Sequence, residues 1–348
     1  MAYTTINKST DYFNTVLYTG NNGAHSITGV GFQPDWVWLK PRNYADHHRL
    51  MDVVRGQNTI YSNRSVPQDA NSSHFTSFDS DGFTLAGSDS GWNSSSYNYV
   101  SWNWRAGNAQ GSSNTDGSIN TTYTSVNTTA GFSISQYTGT ASTATVGHGL
   151  GVAPSVVLTK NLAVDYNWQM YHTGLTSANY RIALDQTDAE GGDSTAFNNT
   201  APTSSVFSVG TSSRTNGNGN SIIAYCFAEK TGFSKFGKYT GNGNADGAFI
   251  YTGFYPAWVM IKEASSSGEG WAMFDNKRSP FNLVQKSLQA NITQAEENLT
   301  SKAVDFLANG FKVRTSDGLL NSSSERYIFM AFAEAPLVGS NNVPVLAR

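Results

Sequence analysis

The stretch that decides the fold is Gly31-Phe32-Gln33-Pro34-Asp35-Trp36-Val37-Trp38-Leu39-Lys40, and the chain contains three copies of it. The other two are Gly151-Val152-Ala153-Pro154-Ser155-Val156-Val157-Leu158-Thr159-Lys160 and Gly253-Phe254-Tyr255-Pro256-Ala257-Trp258-Val259-Met260-Ile261-Lys262. Gly, Pro, Val and Lys occupy the same offsets in each copy. After the proline, successive side chains of a strand point to opposite faces. Because both faces are apolar, the stretch predicts a central strand that is covered on both sides.

Four further landmarks recur around this stretch in the same order, which predicts an internal repeat. They are Tyr18-Thr19-Gly20, Tyr137-Thr138-Gly139 and Tyr239-Thr240-Gly241; Leu50-Met51-Asp52, Met170-Tyr171-His172 and Met273-Phe274-Asp275; Gly82-Phe83-Thr84-Leu85, Val206-Phe207-Ser208-Val209 and Gly310-Phe311-Lys312-Val313; and Tyr99–Trp104, Ile222–Phe227 and Tyr327–Phe332. The central prolines lie 120 and then 102 residues apart, which is enough chain for one domain per copy. We predict domains at residues 1–107, 108–230 and 231–348, the second beginning with a linker hairpin and the third ending in an extended tail.

The composition predicts an all-β fold. Charged residues make up 14% of the chain, aromatic residues 13%, and there are 33 glycines. Such a chain favours short strands joined by tight turns, whereas a helical protein would be rich in Ala, Leu, Glu and Lys. Short strands separated by turn residues in each copy predict three tandem β-sandwich repeats of the jelly-roll or lectin-like type.

Charge and cysteine content narrow the class of protein further. The net charge of -3 leaves no strongly basic field, so nucleic acid is not an expected partner. The single cysteine, Cys226, excludes an intramolecular disulfide and lies in an apolar run typical of a buried side chain. The N-terminal residues lack a signal-peptide pattern, and no run is long enough to span a bilayer. We therefore expect folding in a cytoplasm and no membrane insertion.

One region sets local propensity against the repeat. Residues 294–309 are rich in Ala, Glu and Leu and by themselves predict a helix. However, Phe306 lies five residues before Phe311, as the corresponding phenylalanines of the first copy do. The repeat therefore predicts a strand over residues 303–307, because tertiary context overrides propensity.

The acidic residues do not predict an enzyme. A glycosidase needs two carboxylates across a cleft, and no acid pair recurs in an apolar setting. Asp52 and Asp275 occupy matching places in two copies, and His172 takes that place in the third. A buried pairing of these aspartates with the recurring Lys40 and Lys262 is a simpler hypothesis than catalysis. We predict no catalytic residues.

Metal and cofactor sites also lack a motif. His47 and His48 are adjacent, so on a strand their side chains would point to opposite faces. Aspartate-rich turns offer oxygen ligands for Ca²⁺, but none forms a full ligand loop. Gly147–Gly151 leads into a strand and not into a helix, so it is not a phosphate-binding loop. We predict neither a metal nor a cofactor.

Aromatic side chains in predicted loops are the candidates for ligand binding, because sugars stack on aromatic faces while amides and hydroxyls contact their OH groups. The candidates are Tyr44, Trp92, Tyr97 and Tyr166. Trp92 lies between Gly91 and Asn93, a setting that does not indicate a core position, and contact with a neighbouring subunit would explain it equally well. The strand tryptophans are assigned to the core: Trp36, Trp38, Trp258 and Trp271.

Three parts of the chain resemble a family of repeated virion proteins from marine tailed bacteriophages. They are Gly31–Lys40 followed by Arg49–Gly56, then Gly147–Pro154, and finally Ala331–Gly339. The resemblance implies a structural protein on the outside of a phage particle, in a tail fibre or on the head, with lectin-like sandwich modules. The third copy departs from the pattern because it lacks a counterpart of the Arg55-Gly56 turn. An identical site in all three copies is therefore not expected.

The resemblance also implies synthesis in the host cytoplasm and a place on the outer surface of the virion. The expected partners are other virion proteins, further copies of the chain with a trimer favoured, and host-surface glycans. The first hypothesis is a tail fibre or appendage that contacts the host surface through glycans. One alternative is a capsid decoration or head-fibre protein that binds other virion subunits. Another is a polysaccharide depolymerase, which would need a carboxylate pair.

Overall fold

The computed structural model describes residues 3–69, 73–339 and 341–343, and its regular structure is almost entirely β-strand, which confirms the all-β prediction. Residues 1–107, the first segment, contain β1 (Phe13–Thr19), β2 (His25–Ile27), β3 (Trp36–Pro41), β4 (Arg49–Asp52), β5 (Gly56–Tyr61), β6 (Phe75–Asp79), β7 (Gly82–Leu85) and β8 (Asn98–Trp104). The second segment, 108–230, contains β9 (Thr121–Asn127), β10 (Phe132–Thr138), β11 (Ala144–Gly147), β12 (Val156–Asn161), β13 (Gln169–His172), β14 (Tyr180–Arg181), β15 (Gly191–Gly192), β16 (Val206–Val209) and β17 (Ser221–Phe227).

The third segment, 231–348, contains β18 (Ser234–Thr240), β19 (Phe249–Tyr251), β20 (Phe254–Glu263), β21 (Trp271–Asp275), β22 (Lys286–Gln289), β23 (Glu297–Asn298), β24 (Val304–Leu307), β25 (Gly310–Val313) and β26 (Arg326–Pro336). Within the described ranges, helical structure is confined to α1 (Ser213–Asn216), α2 (Gly318–Asn321) and two 3₁₀ turns at Ser9–Asp11 and Thr300–Lys302. The end of the predicted tail, residues 344–348, lies outside the described residues.

Each segment has one large antiparallel sheet and one small antiparallel sheet that recurs in all three, and the second segment also contains the two-stranded sheet β14-β15. The large sheets have the strand orders β1-β8-β3-β4-β5, β13-β12-β17-β10-β9 and β18-β26-β20-β21-β22-β23. The small sheets are β2-β7-β6, β11-β16 and β19-β25-β24. In each large sheet, the last strand of the segment (β8, β17 or β26) lies between two others. One neighbour is the strand that carries the Tyr-Thr landmark (β1, β10 or β18), and the other is the strand of the deciding stretch (β3, β12 or β20). The segment boundaries themselves stay predictions.

The deciding stretch forms β3, β12 and β20, and every described residue of β3 and β12 is buried, as predicted for a strand covered on both sides. Val37 and Leu39 pack towards the small sheet of the first segment, in a core with Ile27 and Phe83. Trp36 faces the opposite way into a core that all three large sheets share. The alternation of side chains therefore supplies two different cores from one strand.

Aromatic rings join the large sheets pairwise in this shared core. The ring centroids of Trp36 and Tyr225 are 4.6 Å apart, and those of Trp104 and Trp258 are 5.6 Å apart. The ring centroids of Phe227 and Phe332 are 5.9 Å apart. Each pair joins a different two of the three segments, so the sheets surround one common apolar centre.

Backbone hydrogen bonds close the same arrangement into a ring. Equivalent bonds join the segments first to second, second to third and third to first: Gln68 N–H to Leu162 O at 3.1 Å, Glu190 N–H to Ala264 O at 2.8 Å and Glu296 N–H to Arg42 O at 2.7 Å. All three acceptors lie two residues after the lysine of the deciding stretch. The segments are therefore packed head to tail around a shared core and are not independent domains joined by linkers.

The recurring Tyr-Thr-Gly has a structural explanation. The hydroxyls of Tyr18, Tyr137 and Tyr239 each donate to a main-chain carbonyl, of Trp92, Thr215 and Leu320. The glycine two residues after each tyrosine lies against the same turn. In the second copy, a Cβ on Gly139 would be 2.3 Å from the Gly217 carbonyl oxygen. This landmark therefore clamps the turn before the closing strand in every copy.

Three local predictions, for the Phe306 region, the linker and the tail, can be compared with the structure. The Phe306 region is strand β24, so the repeat overrode its helical propensity as predicted. The linker contributes β9, which pairs with β10 at the edge of the second large sheet. The first part of the predicted tail belongs to β26, where Pro336 pairs with Phe254.

Candidate functional site

Several charged side chains are buried, and perturbed ionisable groups often mark active sites. The Asp52 carboxylate bonds to Arg55 Nε at 2.6 Å, and Tyr225 of the second segment donates its hydroxyl to the same oxygen at 2.6 Å. Asp275 likewise pairs with Arg278 and accepts the Trp102 indole N–H at 3.0 Å. The predicted pairing of these aspartates with Lys40 and Lys262 is therefore wrong.

The prediction that the third copy lacks a counterpart of the Arg55-Gly56 turn is wrong for its arginine. Arg278 stands three residues after Asp275, as Arg55 does after Asp52, so the third copy does contain a counterpart of that arginine. At the remaining junction, His172 Nε2 bonds to the Phe329 carbonyl at 3.1 Å. At this junction Leu175 takes the place of the arginine, and Met330 takes the place of Tyr225 or Trp102. Both side chains are buried. The three sites are ties between segments, made of buried side chains.

The recurring lysines bind carbonyl oxygens. Lys160 Nζ donates to Ser65 O at 2.6 Å and to Tyr166 O at 2.7 Å. Lys262 makes equivalent bonds to Glu263 O at 2.6 Å and Thr187 O at 3.3 Å, while Lys40 bonds within its own segment. All three lysines are fully buried. Two of them tie a strand to the preceding segment through main-chain groups.

These lysines predict a pH dependence of stability. Burial lowers the pKa of Lys40 to about 7 and the pKa values of Lys160 and Lys262 to about 8. An unfolded chain keeps its lysines protonated up to about pH 10. From pH 7 to pH 9 the unfolded state therefore binds more protons than the folded state, so the free energy of unfolding rises with pH. Urea unfolding midpoints are expected to increase over this range.

The matched variant for this test is Lys160→Met, which keeps the stem of the side chain and removes the titrating group. It is expected to make the midpoint rise less steeply with pH. A midpoint that is constant or falls between pH 7 and pH 9 in the native protein would count against the lysine assignment.

Two other buried acids have raised pKa values without forming a catalytic pair. Burial raises the pKa of Asp35 to about 6, and its carboxylate accepts the Ala106 amide at 2.6 Å and the Asn108 amide at 2.9 Å. Burial also raises the pKa of Asp185 to about 6, and the Trp168 amide donates to it. Both acids hold main-chain turns, which explains their positions structurally.

Trp92 lies in the core of the first sandwich, contrary to the prediction for a loop tryptophan. Its side chain is 4% exposed. The Arg49 guanidinium lies 5.2 Å from the centre of its ring, and His74 stacks on it at 5.8 Å. A ligand therefore has no access to Trp92 in this structure.

Tyr44 and Tyr97, two of the candidate loop aromatics, lie side by side in the structure. Their rings stack with centroids 4.4 Å apart and planes 21° apart, and Tyr44 is 37% exposed. The two loops are joined by the Asn98 amide, which donates to Asn43 Oδ1 at 2.8 Å. The Lys40 ammonium donates to the Tyr44 carbonyl. The pair is thus a preformed aromatic surface bordered by amides.

Tyr166 is not part of this surface. It belongs to the second segment, where its amide donates to Ser65 O at 3.0 Å and its carbonyl accepts Lys160 Nζ. Its backbone therefore ties the second segment to the first, and its partly exposed ring stands apart from the Tyr44–Tyr97 pair.

A second aromatic surface, in the third segment, escaped the sequence analysis. Phe281 is 79% exposed, the highest value among the exposed large hydrophobic residues of the described chain. Next to it, Tyr255 and Pro280 border two adjoining clefts of about 190 and 530 Å³. The ion pair of Lys277 with Glu334 at 3.0 Å lines the larger cleft. We call these residues the Phe281 surface.

Within the described ranges, no group of three or more His, Cys, Asp or Glu side chains is placed to hold a metal ion. In the same part of the chain, no helix has the length and apolar character needed to cross a membrane.

Fold and surfaces together define an all-β protein in which three large sheets share one core and exposed aromatic groups lie outside it. A family model described as a domain of unknown function (DUF7483) matches residues 8–336, and the chain belongs to this family. The match is a single one that runs through all three segments. No curated protein matches the chain.

Proposed function

We propose that the protein is a bacteriophage virion protein, a tail fibre or appendage that contacts the host cell surface through glycans. The observation that carries the proposal is the stacked Tyr44–Tyr97 pair, whose rings are held at 4.4 Å by bonded loops. A preformed aromatic face binds a sugar ring at a low cost in conformational entropy. Asn43 and Asn98 border it with amide groups suited to sugar hydroxyls.

The architecture supports a role in the extracellular environment. The segments close into a ring through backbone hydrogen bonds and share one core, so the chain needs no disulfide for its compactness. The resemblance of Gly31–Lys40, Gly147–Pro154 and Ala331–Gly339 to repeated phage virion proteins supports the same proposal.

The test is adsorption of labelled protein to intact host cells, with protection of those cells from infection as the second readout. Tyr44→Ala and Tyr97→Ala are each expected to weaken adsorption roughly tenfold, since an aromatic stacking contact contributes about 1 kcal/mol or somewhat more. Phe281→Ala removes an exposed aromatic ring elsewhere and is the matched control. Equal adsorption of all four proteins, or none at high concentration, would refute the proposal.

A capsid decoration or head-fibre protein is the second candidate, and the Phe281 surface favours it. An aromatic ring that is 79% exposed beside a cleft is typical of a protein contact. Under this alternative, Phe281→Ser would abolish binding to purified virions that lack the protein, whereas Tyr44→Ala would not. The reverse result would favour host attachment.

A further inference from the structure

Strand β19 is an open edge of the small sheet in the third segment. It pairs with β25 on one side through Ile250 opposite Phe311. Among the described residues, no strand pairs with its other side. Phe249 and Tyr251 flank Ile250 and are 47% and 55% exposed. The edge is therefore both unpaired and aromatic.

The equivalent positions of the other two copies contain small or hydroxyl-bearing residues, both where the edge is open, in the first segment, and where it is covered, in the second. Ile27, Val146 and Ile250 each lie opposite the recurring phenylalanine of the neighbouring strand. The residues before and after them are Ser26 and Thr28 in the first segment, Thr145 and Gly147 in the second, and Phe249 and Tyr251 in the third. Two small or hydroxyl-bearing residues are thus replaced by two large aromatic ones only in the third segment.

In the second segment this edge is covered by an isolated parallel bridge, in which Ile119 pairs with Val146. There, the Ile119 amide donates to Thr145 O at 2.9 Å, and the Ile119 side chain is buried in the sandwich core. Ser118 and Thr145 exchange further hydrogen bonds at 2.9 Å. The third segment follows the second after a connection of residues 228–233, and that connection leaves β19 uncovered.

The hydrogen-bond register shows which groups the edge presents. Val313 N–H bonds to Ala248 O, and Thr252 N–H bonds to Asn309 O, so the even-numbered residues of β19 face β25. In an antiparallel ladder the alternate residues point the other way. The backbone groups of Phe249 and Tyr251 are therefore directed to the free edge.

We propose that β19 pairs antiparallel with β19 of a second copy, about a twofold axis at Ile250. This register places Phe249 opposite Tyr251 of the second copy, and Tyr251 opposite Phe249 of the second copy. Both copies therefore use the same surface, as a closed twofold contact requires. The two residue pairs exchange four backbone hydrogen bonds and form two aromatic cross-strand pairs. The result is one continuous sheet of six strands, three from each copy.

The absence of unpaired charge also favours a second copy, and the small size of the edge makes the contact weak. Natural edges are commonly blocked by a lysine, and β19 contains no charged residue. Lys312, opposite Phe249, is already paired with Asp246 at 2.6 Å, so two copies approach without net repulsion there. A three-residue edge buries less than the roughly 1,200 Å² of a standard interface, so we expect a reversible dimer in the micromolar range.

Disulfide trapping tests the register. Opposed residues of a hydrogen-bonded antiparallel pair have Cα atoms about 5.5 Å apart, a spacing that a disulfide fits. A mixture of the Phe249→Cys and Tyr251→Cys proteins should form a covalent dimer under mild oxidation, while each variant alone should form much less. The native Cys226 is fully buried and gives no background. A mixture of Ser26→Cys and Thr28→Cys, the equivalent edge, is the matched control and should stay monomeric.

Sedimentation equilibrium of the full chain tests the dimer without cysteines. The native protein should dimerise with rising concentration, and the variant combining Phe249→Ser with Tyr251→Thr, which copies the first segment, should stay monomeric with an unchanged circular dichroism spectrum. Phe281→Ser should still dimerise. A native protein that is monomeric up to about 100 µM, or equal trapping in the mixed and single cysteine samples, would overturn the proposal. Neither result depends on glycan binding at Tyr44 and Tyr97.

Discussion

Arg278→Leu is expected to lower the free energy of unfolding by about 3–5 kcal/mol, because it leaves the Asp275 carboxylate buried without its cation. Both side chains of the pair are fully buried. The Asp275 carboxylate would keep the Trp102 indole N–H and the backbone amides of residues 277 and 278 as hydrogen-bond donors. Urea unfolding followed by tryptophan fluorescence measures the loss.

The chain itself provides the control for this prediction. At the equivalent junction, His172, Leu175 and Met330 fill the places of Asp275, Arg278 and Trp102 without any ion pair. The triple variant Asp275→His, Arg278→Leu and Trp102→Met copies that set, and we expect it to recover at least half of the loss. Replacing a whole buried ion pair by packed groups is often close to neutral, whereas removing one partner is not. A triple variant no more stable than Arg278→Leu would argue against equivalent junctions.

Trp258→Ala is expected to destabilise the whole chain by about 3–5 kcal/mol, because a large ring is lost from a packed core. Trp258 is 1% exposed and contacts Trp104 of the first segment and Phe332 of the third. Since the three large sheets share this core, we expect a single unfolding transition in native and variant protein alike. Differential scanning calorimetry would show one peak that moves to lower temperature without splitting.

The contrast with an exposed ring of the same segment makes this result interpretable. Phe281→Ala removes a ring that is 79% exposed and is expected to change stability by no more than about 0.5 kcal/mol. Separate peaks for the three segments, with only one of them shifted by Trp258→Ala, would mean that the segments fold as independent domains and that the shared core contributes little.

The burial of Trp92 could have been predicted from the internal repeat. The Trp92 carbonyl accepts the Tyr18 hydroxyl, as those of Thr215 and Leu320 accept the other two tyrosines. Thr215 and Leu320 are buried, and an alignment on the recurring asparagine that follows them would have predicted burial for Trp92. Local composition, a tryptophan between Gly91 and Asn93, indicated the opposite. The same alignment would have revealed Phe249 and Tyr251 as aromatic departures from two hydroxyl-rich copies.

The sequence by itself determined the strands, their alternation and their threefold recurrence, because these depend on the period of apolar side chains and on turn residues such as Gly31, whose φ is 89°. Only the tertiary structure decided which apolar face meets which. Trp36 and Val37 are equally hydrophobic neighbours, yet one belongs to the core shared by three sheets and the other to a single sandwich. It also decided the partners of Asp275 and the meeting of Tyr44 with Tyr97, since contacts between residues distant in the chain depend on how the sheets close around their common core.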